Sequence, residues 1–209
     1  MKVSAVIGRA ALICSLALAG STAQAQTKTL ESGVTKVTLS TSFLSALNSL
    51  GLKAGVVGPT SFKGTVVNFP VTGGAVDLDT AKAQILHSGG LTLSPTSAAE
   101  NAEPTVRLES FIIDTTGPQP LLTGLVIVKG SLIGRVPLFN LQLPAGLTLP
   151  LKTQDDELVL SGVGVSLTSA AAQALNSVFN VTALHGGFSV GTAKVRASAL
   201  DEDEREGER

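Results

Sequence analysis

Val106-Arg107-Leu108-Glu109-Ser110-Phe111-Ile112-Ile113-Asp114 is the stretch on which the fold reading turns. It alternates at its start: Val106, Leu108 and Ser110 face one way, Arg107 and Glu109 the other. Side chains on a strand alternate with a period of two, so the pattern marks a sheet with one buried and one wet face. Ala193-Lys194-Val195-Arg196-Ala197 alternates in the same way. Leu121–Val128 is more continuously apolar and predicts a central strand covered on both sides. Further strands are expected at Thr35–Leu39, Phe62–Val71, Gly90–Leu93, Leu138–Leu143, Leu147–Leu151, Glu157–Leu167 and Gly187–Ala197. Gly and Pro punctuate the chain about every 8–15 residues, the spacing of an all-β sandwich or barrel. The expected fold is mainly β: a single antiparallel β-sandwich-like domain with two short α-helices.

The helices come from two segments with one grammar. Val37-Thr38-Leu39-Ser40 leads into Phe43–Leu50, and Val165-Ser166-Leu167-Thr168 leads into Ala170–Val178. Aligned from Val37 and Val165 over 14 positions, six are identical. Each reads as a strand, a hydroxyl N-cap and a short helix, the cap oxygen accepting an orphan amide of the first turn. Phe43, Leu47 and Leu50 form one apolar stripe, and Gly51 suits the stop position after the helix. The repetition is either an internal duplication or two uses of the same local rule.

Outward from this body, both ends differ in character. Lys2 and Arg9 precede an apolar run from Ala10 to Gly20, and Ala23-Gln24-Ala25 places small residues before a cleavage point. Charge, apolar core and A-x-A site are the order of a secretory signal. The run is too short for a spanning helix, which needs about 20 apolar residues. The expected organisation is a signal peptide at 1–25, a β-rich domain at 26–200 and an acidic, disordered tail at 201–209. The expected location is the cell envelope or exterior, reached by cleavage of the signal, and the chain is not expected to be an integral membrane protein. Cys14, the single cysteine, lies within the signal, so the mature chain carries no disulfide or thiol nucleophile. Of the 209 residues 44% are hydrophobic and 15% charged, which excludes a disordered chain. Fifteen Lys and Arg face 16 Asp and Glu, with no Trp or Tyr, which speaks against nucleic-acid binding.

The inventory of chemistry is thin. His87 lies in Leu86-His87-Ser88-Gly89-Gly90 and His185 in Leu184-His185-Gly186-Gly187, each before a glycine pair. A zinc site needs three or four ligands, and no His-x-His or His-Glu-x-x-His pattern supplies them. Haem iron needs only one or two axial ligands within apolar walls. The plain alternative for each histidine is a turn residue bonded to backbone. Gly-x-Ser-x-Gly, Walker and dinucleotide motifs are missing from the sequence. Asp155-Asp156-Glu157 reads as a hairpin tip, and Phe69-Pro70-Val71-Thr72-Gly73-Gly74 as a strand entering a tight turn.

Taken in order, Val66–Gly74, His87-Ser88-Gly89-Gly90-Leu91-Thr92-Leu93 and Val106–Ile113 resemble the HtaA-like domain of secreted and cell-surface bacterial haem-uptake proteins. The resemblance covers roughly residues 35–130. It implies a non-catalytic, sandwich-like binding domain for haem or another apolar ligand, with His87, Ser88, Gly89 and Phe69 as candidate ligand-binding residues. Members use a tyrosine as axial ligand with a supporting histidine. This chain has no tyrosine, and His87 is the position its motif matches. The partner is then an apolar small molecule or a cell-envelope component, with no cofactor specified. Two other readings stand beside it. A structural or adhesive envelope protein would show an exposed apolar patch and no pocket. A hydrolase would need a cleft holding His87 or His185 beside an acid or a serine.

Overall fold

The computed structural model describes residues 26–99, 102 and 105–200. The expected signal peptide at 1–25 and the expected disordered tail at 201–209 lie outside the described residues. The elements run β1 (Thr27–Leu39), α1 (Thr41–Ser49), β2 (Leu52–Val57), β3 (Ser61–Lys63), β4 (Val66–Asp77), β5 (Lys82–His87) and β6 (Gly90–Pro95). They continue through β7 (Val106–Asp114), β8 (Leu121–Val128), β9 (Ser131–Gln142), β10 (Thr153–Gln154), β11 (Glu157–Leu167), α2 (Ser169–Phe179) and β12 (Ser189–Leu200).

Eight strands follow the order β7-β5-β4-β1-β12-β11-β9-β8, and β8 pairs back onto β7. Every pairing in the ring is antiparallel. The domain is therefore a closed barrel rather than the expected sandwich. Alternation reports one buried and one wet face, which both architectures share; the closing β7–β8 pair is what separates them. Four strands extend the ring: β6 pairs with Val106–Glu109 of β7, β2 pairs with β6, β3 pairs with β4, and β10 pairs with β11.

An eight-stranded barrel is just wide enough for side chains to fill it. Val37, Val67, Phe69, Ile85, Phe111, Val165 and Val195 fill this one and leave a cavity of about 70 Å³. Lys36, Lys82, Gln84, Lys194 and Arg196 stand on the exposed outer face. An apolar lumen and a charged exterior invert the pattern of a membrane barrel. Among the described residues no helix is long and apolar enough to cross a membrane.

Several sequence expectations meet their structures directly. Ser40 and Thr168 cap the helices, accepting Phe43 N at 3.1 Å and Ala171 N at 3.0 Å. Leu47 is buried, and Gly51 follows α1 at φ +65°. Asp155 and Asp156 both have positive φ in the two-residue β10–β11 turn, as twist-matched hairpins require. Leu147–Leu151 is not a strand; Leu151 N bonds Leu78 O across a turn-rich connection. β8 is central, yet most of it is only half-buried on both faces.

β4 closes on β5 through Gly74, which has φ +140°, and a Cβ there would lie 2.1 Å from Gln84 O. The wall can pass this point only without a side chain. Gly74→Ala should lower stability by about 2 kcal/mol or more. Urea unfolding followed by far-ultraviolet circular dichroism measures this; an unchanged midpoint would show that the wall relaxes freely there.

Candidate functional site

β7 serves two neighbours in succession. Val106–Glu109 pair with β6, whereas Ile112–Asp114 pair with β5. The change falls on a bulge at Ser110-Phe111, where the β7–β8 register also shifts and Ser110 takes φ +51°. A bulge frees backbone groups from the ladder, and buried ones must find other partners. Ser110 N donates to Gly89 O at 3.0 Å. Ser110 O accepts from Arg135 Nη1 at 2.7 Å. Phe111 O lies 3.4 Å from His87 Nδ1.

His87 is only 5% exposed. A carbonyl can only accept, so Nδ1 carries the proton and donates to Phe111 O. This tautomer is assigned from the network. Nε2 then accepts from Thr35 Oγ1, a buried hydroxyl 2.7 Å away on β1. Both ring nitrogens are thus engaged within the barrel. Burial pushes the imidazole down from its ordinary 6.5 to about 4, against the backbone bonds that favour its charged form.

The other candidate residues share this corner. Phe69 packs edge-on against Phe111, centroids 5.3 Å apart, and lines the same cavity as His87. Ser88 and Gly89 carry the chain out of the barrel, with Ser88 N donating to Pro70 O at 3.1 Å. Gly89 has φ +76°, and a Cβ would meet Thr60 N and Val57 O at 2.8 Å. The structure therefore brings Phe69 and His87 together inside and leaves Ser88 and Gly89 at the exit. His185 lies elsewhere, exposed before β12, its ring edge-on to Phe188.

A haem group tests poorly against these residues. The cavity beside His87 is about 70 Å³, against roughly 300 Å³ for the smallest ordinary ligand pockets. The Nε2 lone pair that would bind iron is taken by Thr35. Among the described residues no three His, Cys, Asp or Glu cluster to hold a metal.

A second cavity is larger, open and was not foreseen. A groove of about 580 Å³ runs between α2 and strands β7, β8 and β9. Val106, Leu108, Leu138 and Leu167 are among its buried residues, and Leu175 and Val178 line it from the helix. Ala170, Ala174, Ser177 and Ile133 are exposed at it. Asn176 holds α2 in place, bonding Leu184 N at 3.2 Å and Leu184 O at 2.8 Å. A sequence signal existed: the apolar positions of 170–179 exceed the single stripe that a helix needs for packing on one side.

These features define an antiparallel β-barrel domain with two capped helices and one open aliphatic groove. Its fold is that of the HtaA domains. The C-terminal domain of HtaA from Corynebacterium glutamicum superposes with a TM-score of 0.60 at 16% identity, covering 82% of this chain and 99% of that one. The N-terminal domain of HtaA gives 0.58 at 14% identity, covering 83% and 99%. The haem-binding protein HtaB from the same organism gives 0.53 at 10% identity, covering 83% and 94%. No family model and no curated protein matches the sequence.

The buried histidine makes stability depend on pH. Its folded pKa lies below its unfolded one, so between the two values only the unfolded chain takes up the proton. Its contribution is complete above pH about 6.5 and falls by up to about 3 kcal/mol as the pH drops to about 4. Urea midpoints for wild type and His87→Gln should diverge at pH 7 and converge by pH 4. Parallel curves would contradict a neutral, buried imidazole.

Proposed function

We propose that this chain is an exported, non-catalytic domain that binds an apolar small molecule in the groove between α2 and β7–β9. The observation that carries the reading is the groove itself: about 580 Å³, open to solvent and lined almost wholly by aliphatic side chains. That volume falls in the range of small-molecule sites, roughly 300–1,000 Å³. The likeness in fold to the haem-binding protein HtaB supports an apolar ligand as the class. The basic, apolar and small-residue order of residues 1–25 supports export.

The histidines support no hydrolytic reading. His87 bonds Thr35 and Phe111 O, and the bond from His185 Nδ1 runs to Gly186 O at 3.0 Å. In this reading His87, Gly89 and Phe69 build the barrel corner, and Ser88 joins it to the exit. They stand behind the binding site rather than in it.

Two titrations test the proposal. N-phenyl-1-naphthylamine, which fluoresces in apolar surroundings, should bind saturably to wild type. Ala174→Phe, a larger side chain on the exposed groove wall, should bind it about tenfold more weakly. Equal binding by the two proteins would remove the groove as the site. Haemin should give no axial-ligand Soret band that His87→Ala abolishes; such a band would return the ligand to the barrel corner.

A further inference from the structure

We infer that the groove takes a single unbranched acyl chain, held by shape and hydrophobicity, with its polar end left in water. The inference rests on the groove being the binding site and adds the class of ligand.

The lining decides the class by what it can and cannot pair. Its walls are Val, Leu, Ile, Ala and Pro from β7, β8, β9, β11 and α2, with Phe139 the single aromatic and Ser177 the single polar side chain. Among the described residues, no charged side chain, amide side chain or imidazole lines it. A sugar, nucleotide or peptide carries polar atoms along its whole body. Each one buried here would lose its hydrogen bonds to water and gain no partner in return, which weakens binding. A planar macrocycle would want aromatic faces and an iron ligand, and the described lining supplies one phenylalanine and no ligating side chain. A hydrocarbon chain asks only for apolar contact, which every wall offers.

The exposed residues place the polar end. Ala170, Ala174 and Ser177 on α2 are small and exposed, and Ile133 is 63% exposed across from them. The mouth therefore presents no lining cation that would select a carboxylate or a phosphate. Recognition follows the chain and not the head group. Each added methylene within the groove contributes about 0.8 kcal/mol, a factor of about four in affinity.

The experiment is displacement of N-phenyl-1-naphthylamine from the full mature chain, below micelle-forming concentrations. The competitors are octanoate, decanoate, laurate, myristate and palmitate, and lysophosphatidylcholines of the longer chains. The free-acid series stands for a soluble source and the lysolipids for a membrane source. The expected result is affinity rising about fourfold per methylene until the groove is filled, with the same dependence for both head groups and loss of displacement in Ala174→Phe. Probe binding with a flat chain-length dependence would overturn the acyl-chain inference and leave the groove standing as a site. A steep preference for one head group, or stronger displacement by a rigid sterol, would do the same. Absence of saturable probe binding would overturn the groove reading itself.

Discussion

One hydrogen-bond set at Ser110-Phe111, buried at its Phe111 end, governs this molecule. A strand that must belong to a barrel and to an outlying sheet has to turn between them, and the turn strands backbone groups. Each has a specific answer: Ser110 N by Gly89 O, Ser110 O by Arg135, and Phe111 O by His87. A buried carbonyl left open would cost about 1–3 kcal/mol. His87 is suited to the task because a neutral imidazole can donate from one nitrogen and accept at the other. It donates to the bulge and accepts from Thr35, which ties β5, β7 and β1 across the lumen. The His-Ser-Gly-Gly sequence is thus a corner brace. Gly89 is fixed by close backbone approach to Thr60 and Val57.

The turn also creates the groove. Once Val106 and Leu108 leave the β5 side of the ring, their inward faces continue with Val126 and Val128 beyond the filled lumen. α2, launched from the end of β11 by the Thr168 cap, lies over them. The helix faces this surface largely through alanines, which are too short to fill it. The cap that starts α2 matches the one that starts α1, atom for atom at aligned positions. What differs is the packing: α1 buries Leu47, while α2 buries only Ala171 and Ala172. The same local grammar gives one packed helix and one that leaves space beneath it.

Local structure was legible wherever one residue type had one physical use. Hydroxyl caps, the glycine after α1, the Asp-Asp turn and the alternation of Lys194 and Arg196 against Val195 all read through. Closure did not, because a period-two pattern is identical on a curled and a flat sheet. The inward set of β7 also slips at its bulge. Val106 and Leu108 face in as the alternation implies, but Phe111 and Ile113 take over from Ser110. Strands β2 and β5 went unmarked: β2 is short and only partly buried, and β5 runs directly into the His-Gly segment. His87 stands out in the sequence by its rarity and its motif, but neither shows which groups its ring nitrogens meet. The groove carries no rare residue, so only the excess of apolar positions on α2 could have signalled it.

The likeness in fold to HtaA domains and the composition of this chain therefore point to different parts of the molecule. The barrel and its helices are shared architecture, and architecture alone does not carry a ligand. A haem protein must place a ligating atom beside a cavity large enough for the macrocycle. Here His87 is engaged by Thr35 and by Phe111 O, aromatic and aliphatic side chains line its cavity, and the sequence has no tyrosine. The aliphatic groove under α2 lies outside the lumen. His87 closes this corner of the barrel through Thr35 and Phe111 O, whatever the domain binds. Within this scaffold, the demand that the bulge be satisfied is independent of what binds, and the histidine answers to the first.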